Sequence, residues 1–546
     1  MAEQTAAEST TFRSREPAAP AFGGESLRRN LAALSIIVGA SLLVSTWPER
    51  LAGLHVDEAW SFFRAREILS GRRPLDGMNY YTGALHQYLL AAGVKAFGLH
   101  HWVIRALSGG INLAALLSYM RLVRRWHPQS DLWLWVGALT MSSATFVVYS
   151  RLGIELTTLT PFLIFTGSLL VQQGRSVARL GLVRAAGGGV LLGLAVYNHM
   201  VAAAVVAGLI LGYVSAIGVR VLGDRISHAA FAGLLLGLAP RIVQILGSAR
   251  RGKGPIQRLL QNLSADLFSD LLYVPEVLRG MLDGDLIYRR VAGECLLAVV
   301  PFFTVALLAL IAVRLRLRAL ALARRDVGLL VAVAASTVLM ALIAPHLALR
   351  YYILPALALP YLLARLADLP ERDGARWARR LGRGVLPAVI ALQAFYLGVN
   401  YFYAHLSTGG SIYVFPLGKH VIEASNGFVR VDRLYASLVE RQIEHVVADN
   451  LIRWPLEFYD LTPDALRTTA EPYNRRWKVP GDGPTAMVYY NGPTPMGGLK
   501  IEDRRGTDKV DFNGREFLLE PGYDPNFLVY VHRPSGAALS ASGAPR

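Results

Sequence analysis

Long apolar runs, separated by short arginine-rich or turn-rich stretches, organise most of this chain. A helix needs about 20 mostly apolar residues to cross hydrocarbon. Such runs fall at residues 31–47, 102–120, 132–149, 153–171, 185–198, 200–219, 229–247, 292–313, 327–344, 351–367 and 385–403. The pattern predicts a polytopic α-helical membrane domain over 31–403 with about eleven transmembrane helices. The fifth run is short and carries Gly187, Gly188, Gly189 and Gly193. Glycines there allow either close helix contact or a broken span. Beyond residue 404 the pattern changes. Segments 444–448, 486–490 and 526–531 read as short buried strands, 430–443 reads as a helix, and Pro480–Gly481, Gly483–Pro484 and Pro521–Gly522 mark turns. Residues 404–546 are therefore expected to form a small soluble α/β domain. Residues 1–30 are polar and rich in Ala, Ser and Thr, as in a disordered cytoplasmic tail. The run at 31–46 lacks a small-residue cleavage site, so it reads as a retained anchor and not as a signal peptide.

Arginine placement orients the spans. Arg121, Arg124 and Arg125 follow the second, Arg175, Arg179 and Arg184 the fourth, and Arg220 and Arg225 the sixth. Arg314, Arg316, Arg318, Arg324 and Arg325 follow the eighth, and Arg372, Arg376, Arg379, Arg380 and Arg383 the tenth. Because positive loops stay in the cytoplasm, these alternate loops are inside. Loops 48–101 and 248–291 and the C-terminal domain are then outside. The odd number of spans is what places that domain, so a single miscounted span would reverse it. Loop 48–101 holds two amphipathic stretches, Glu58–Leu69 and Gly83–Phe97, suited to the membrane interface.

Composition supports this reading. The chain is 53% hydrophobic and 17% charged, against about 25% charged in a soluble domain. Its mean hydropathy of +0.36 averages an apolar part with a polar one. The net charge of +17 would suit a nucleic-acid binder, but the cations sit in clusters between apolar runs, so no nucleic-acid partner is expected. Cys295 is the only cysteine, which excludes an intramolecular disulfide and a cysteine metal cluster. Walker A, HExxH and GxSxG segments are absent. No cofactor is expected; a divalent cation stays compatible with the outer carboxylates and histidines.

Ionisable groups near a span's outer end are costly and are functional candidates by default. The first is Asp57–Glu58, about ten residues past the first span. Either carboxylate can serve as a general base if sheltered. The plainer alternative makes Asp57 a helix cap, with Glu58 favouring the helix's positive end. A second cluster runs Asn79-Tyr80-Tyr81-Thr82-Gly83-Ala84-Leu85-His86-Gln87-Tyr88. Its rings and amides suit a sugar-binding wall, or equally an interfacial aromatic belt. Arg105, early in the second span, binds an anion or snorkels outward. Arg151 lies four residues before Glu155, the spacing of an i,i+4 helical ion pair. A third cluster joins His346 to Arg350-Tyr351-Tyr352, where the arginine can take a phosphate or sit at headgroup level.

In order, these stretches resemble the GT-C fold glycosyltransferases of the dolichyl-phosphate-mannose protein mannosyltransferase superfamily, which includes the bacterial aminoarabinose lipid A transferase. Residues 57–60 (DEAW) are similar to the family's acidic motif in the first outer loop. Residues 79–107 (NYYTGALHQYLLAAGVKAFGLHHWVIRAL) resemble its next segment. Residues 149–151 (YSR), 188–199 (GGVLLGLAVYNH) and 346–355 (HLALRYYILP) resemble three later elements. The resemblance covers about 30–370. Where the family commonly has Pro or Lys in the second motif, this chain has Gly83-Ala84-Leu85-His86.

The resemblance implies a GT-C membrane glycosyltransferase that moves a sugar from a polyprenyl-phosphate donor to a glycolipid, polysaccharide or protein acceptor. It implies inversion, with Asp57 as base and Glu58 beside it. Arg350, with Arg151 or Arg105, would hold the phosphate. It also implies a bacterial inner membrane, with the active site and the C-terminal domain extracytoplasmic. A transporter or lipid flippase is the competing class. That class favours internal repeats and charges near midplane, whereas the candidates here gather at outer ends.

Overall fold

A computed structural model describes residues 24–45, 56–77, 81–128, 130–176, 180–249, 305, 308–312, 324–343, 352–368, 376–398, 431–448, 450–459, 467–470, 483–490, 508–512, 514–523 and 527–534. Two compact units divide them. Residues 24–45, 64–249 and 305–398 form the first, and residues 56–63 and 431–534 the second.

The apolar runs, whose backbone a lipid setting requires to be satisfied internally, and the two amphipathic stretches of loop 48–101 become helices. They are α1 (Gly24–Ser45), α2 (Val56–Leu69), α3 (Leu85–Phe97), α4 (His101–Trp126), α5 (Leu132–Ser142), α6 (Ala144–Ser150), α7 (Glu155–Gly174), α8 (Gly181–Asn198), α9 (Ala202–Ile217), α10 (Arg225–Ala249), α11 (Arg324–Ile343), α12 (Ile353–Ala367) and α13 (Arg376–Tyr396). Each expected span except 292–313 overlaps described helix; that one falls largely outside the described residues. Five of the described helices are long and apolar enough to cross a membrane. The expected span 132–149 is two helices, α5 and α6, broken at Ser143, whose hydroxyl accepts from the Phe146 N–H at 3.2 Å. Arg376 and Arg380, assigned to a loop from sequence, lie inside the first turns of α13.

The glycine-rich run is an unbroken helix, α8, and its glycines serve close contact. A Cβ at Gly189 or Gly193 would overlap the carbonyl of Ala230 or Leu234 on α10, and one at Gly233 would overlap that of Ala186. The same device joins α9 to α11 through Gly208, Gly212 and Gly328. Small residues let membrane helices pack backbone to backbone, where dispersion provides most of the attraction.

Polar contacts tie together the helix ends that the arginine pattern assigns to one side. Arg175 bridges to Asp224 at 2.7 Å, Arg325 donates to the carbonyl of Trp126 at 2.9 Å, and Arg29 pairs with Asp131 at 2.7 Å. Asp326, almost fully buried, accepts from Tyr361 at 2.9 Å and from Arg365 at 3.2 Å. Tyr361 also meets a ring nitrogen of His127 at 2.9 Å. Burial and the Arg365 charge hold the His127 imidazole below its ordinary pKa.

In the second unit, α14 (Val431–Glu440) and α15 (Asn450–Tyr459) accompany a six-stranded sheet. Its strands are β1 (His445–Ala448), β2 (Arg467–Ala470), β3 (Thr485–Tyr490), β4 (Lys509–Phe512), β5 (Arg515–Leu519) and β6 (Phe527–His532), in the order β2-β1-β3-β6-β5-β4. β1 pairs in parallel with β2 and β3, and the remaining pairs are antiparallel. The alternation of strand side chains splits the interior in two. Val446, Ala486, Val488, Val529 and Val531 pack with Leu434 and Leu438 of α14 and Ile452 and Leu456 of α15. Val447, Met487, Tyr489, Phe517 and Tyr530 form the opposite face.

Candidate active site

The acidic pair opens α2. Asp57 is 4% exposed and Glu58 fully buried, both in the first turn. Asp57 is the helix's second residue, so it lies inside the helix and is not the flanking cap. A carboxylate in the first turn gains about 0.3–2 kcal/mol from the helix dipole. Burying a carboxyl group is costly unless it is paired, so the dipole alone does not explain two of them withdrawn from water. Adjacent helical positions diverge by about 100°, so the surroundings cover two sides of the helix at this point. The same turns carry Trp60 and Phe62. Trp60 meets Trp454 edge-on at a centroid distance of 6.4 Å, and Phe62 meets Phe458 at 4.9 Å, with planes 87° apart.

The second cluster lies in the first unit, at a junction of backbone segments. Thr82 bridges to His199, and the Gly83 N–H donates to the carbonyl of Asn198 at 2.9 Å. The carbonyl of Tyr81 accepts from the Met200 N–H at 2.9 Å, and its ring lies edge-on to His199. The Tyr197 hydroxyl donates to the carbonyl of Leu75 at 2.9 Å and accepts from the Ala84 N–H at 3.3 Å. Only glycine fits at position 83, because a Cβ there would overlap the carbonyl and ring of Tyr197. Arg241 of α10 closes the junction, donating to the carbonyls of Tyr197 at 2.7 Å and Tyr81 at 3.0 Å while lying over the Tyr197 ring.

α3 starts directly after this junction. His86 and Gln87 in its first turn are 1% and 0% exposed. Their side-chain nitrogens and oxygen have no hydrogen-bond partner among the described residues. Burial pushes the His86 imidazole down to about 4, so it is neutral at physiological pH. A neutral imidazole and an amide can each both donate and accept, which is what hydroxyl groups require.

Arg105 and Arg151 are both buried to 1% exposure in the first unit. Arg151 precedes α7 in a turn and donates to the carbonyl of Leu43 at 2.6 Å. Arg151 lies in the turn and Glu155 opens α7, so the two do not share a helix. Asn198 donates to the Glu155 carbonyl and to Thr160, both at 3.0 Å, and is a structural clasp. Asn79, Tyr80, His346, Arg350 and Tyr351 lie outside the described residues. Among the described residues no group of three or more His, Cys, Asp or Glu is arranged to hold a metal ion.

Sequence reasoning missed Arg241 and Tyr197. The signal for Arg241 was present: it is the single charged residue in the apolar run 229–247, and a lone charge at membrane depth marks a functional or structural anchor. Tyr197 had no such signal, because its partners come from residues more than a hundred positions away.

No family model matches the sequence, and no curated protein matches it. Solved structures do match. ArnT from Cupriavidus metallidurans bound to undecaprenyl phosphate superposes with a TM-score of 0.56 at 15% identity, covering 96% of this chain and 100% of that one. ArnT from the same organism in the apo state gives 0.53 at 14% identity, covering 93% and 98%. The chain thus has the GT-C fold expected from its motifs.

Proposed function

We propose that this protein is an integral membrane glycosyltransferase that moves a sugar from a polyprenyl-phosphate donor to an acceptor at the extracytoplasmic face of a bacterial inner membrane. One observation carries the reading: two carboxylates are buried in the first turn of α2, in a chain that shares its fold with ArnT over nearly its whole length. The ArnT structure holds undecaprenyl phosphate, which motivates a lipid-phosphate donor here. Such a donor keeps its tail in lipid while its sugar enters a polar site.

Asp57 is assigned as general base. It takes the proton of the acceptor hydroxyl as that oxygen attacks the anomeric carbon. The bond from this carbon to the phosphate oxygen breaks, and the electron pair leaves with the polyprenyl phosphate. Attack from the face opposite the leaving group inverts the anomeric centre. A phosphate is already a good leaving group, so a second carboxylic acid, as glycoside hydrolysis uses, is unnecessary. Glu58 is assigned to hold the first turn in place beside Asp57. Arg350, with Arg105 or Arg151, is assigned the developing phosphate charge, where preorganised donors contribute most. Tyr81 and His86, with Asn79, Tyr80, His346 and Tyr351, are assigned to substrate. The neutral donor–acceptor character of His86 fits a sugar hydroxyl better than a phosphate, which only accepts.

The test is Asp57→Asn in native membranes, with a host lipid extract as the pool of polyprenyl-phosphate sugars. Release of polyprenyl phosphate should fall by about 10²–10⁴-fold, the usual contribution of a general base. Transfer at the unaltered rate would remove Asp57 from the reaction.

A further inference from the structure

α15 has two faces. Ile452 and Leu456, one turn apart, belong to the core under the sheet. Trp454 and Phe458, also one turn apart, meet Trp60 and Phe62 of α2. Two positions along a helix is a rotation of about 200°, so the two pairs lie on opposite sides of α15. The helix is thereby a spacer with the sheet on one side and the acidic helix on the other. Helix α15 is further stiffened by Arg453, which pairs with Glu457 one turn on.

The register on α2 is specific. Trp60 is three residues after Asp57, and Phe62 is four residues after Glu58. Positions three and four apart share a face, so each ring anchor stands one turn along from one carboxylate. Trp60 and Phe62 are themselves about 200° apart around α2. Anchors on two sides of a helix fix its rotation about its own axis, which a single contact does not.

We infer that Trp454 and Phe458 of the C-terminal unit are positioning residues for the Asp57–Glu58 pair, setting the rotation of α2 and with it the direction of the reacting carboxylate. This rests on the reading of Asp57 as base. The geometry gives the sensitivity. A side-chain tip lies about 5 Å from a helix axis, so a rotation of about 20° moves it by roughly 1.7 Å. A misplacement of about 1 Å costs about a hundredfold in rate. Helix α15 would then be part of the catalytic apparatus through its hold on α2.

The experiment uses the full-length protein with the lipid-extract donor pool and polyprenyl phosphate release as readout. Trp454→Ala and Phe458→Ala should each lower the saturated rate by about 10–100-fold while the half-saturating donor level stays within about threefold. Ring-retaining Trp454→Phe and Phe458→Tyr should restore most of the rate. Phe62→Ala and Phe458→Ala combined should lose little more than either alone, because both remove one contact. Where alanine prevents accumulation of the protein, Trp454→Leu and Phe458→Leu carry the same test, with about a tenfold loss expected. A saturated rate left unchanged, losses that ring retention does not restore, or fully additive losses each overturn the positioning role. An inactive Asp57→Asn beside a fully active Phe458→Ala sinks this inference alone, whereas an active Asp57→Asn sinks the assignment of the base.

Discussion

Replacing Arg241 by methionine removes the guanidinium that closes the Tyr81–His199 junction but keeps much of its length. Two carbonyls lose a charged donor: Tyr197 at 2.7 Å and Tyr81 at 3.0 Å. The Tyr81 carbonyl keeps the Met200 N–H, so its loss is the smaller, about 1 kcal/mol, against about 2 kcal/mol for the Tyr197 carbonyl. The sum is about 3 kcal/mol, and at about 2 °C per kcal/mol the apparent Tm of the detergent-purified protein should fall by about 6 °C. Tyr197→Phe strips partners from the Leu75 carbonyl and the Ala84 N–H and should cost about 2 kcal/mol. Both variants release the same 75–84 segment, so the double variant should fall short of the sum by about 1 kcal/mol. Fluorescence-monitored thermal unfolding of the four proteins measures this directly. An Arg241→Met protein that melts within about 1 °C of the parent, or full additivity in the pair, would refute the view that this arginine holds the junction.

Two further outcomes follow from the packing and from the buried imidazole. Gly193→Val drives a side chain into the Leu234 carbonyl and should sharply reduce accumulation of folded protein, by about 2–3 kcal/mol of lost stability, while Gly187→Ala, which meets open space, should be neutral in the same expression assay. His86 is held at about 4, below the ordinary 6.5, so at acid pH the unfolded chain binds a proton that the folded chain refuses. Its share of stability is complete above about pH 6.5 and is lost as pH falls towards 4, reaching about 2 kcal/mol at pH 5. Thermal unfolding at pH 7.5 and pH 5 should therefore show a smaller acid loss for His86→Asn than for the parent, and equal losses would contradict a buried neutral imidazole.

The helices were legible because lipid burial imposes a length and a composition on each of them, and the strands β1, β3 and β6 because each is a short apolar run between turns. The break between α5 and α6 was not legible, since an apolar run is equally apolar when interrupted by a serine that accepts a backbone hydrogen bond. The glycines of α8 announced close contact but not the partner; α10 supplies it from a distant stretch of chain. At the site, carboxylates in a loop after the first span singled out Asp57 and Glu58. Their burial was not legible, because part of what surrounds α2 comes from Trp454 and Phe458 near the other end of the sequence. Arg151 shows a local limit: a spacing of four suggested one helix, but the chain there is a turn, and one guanidinium nitrogen reaches the distant Leu43 carbonyl.

The contact between Phe62 and Phe458 also has a consequence for biogenesis. The two residues are separated by 396 positions (458 − 62). A ribosome adding about 5–20 residues per second takes roughly 20–80 s to cover that distance. Throughout that interval the helix bearing the acidic pair lacks the rings that flank it in the finished protein. The surroundings of this acidic turn are thus among the last parts of the molecule to be completed, after much of the membrane domain has been synthesised. A C-terminal fragment expressed from residue 404 onward would lack residues 56–63 and expose the aromatic face of α15, and should associate or aggregate where the full chain does not.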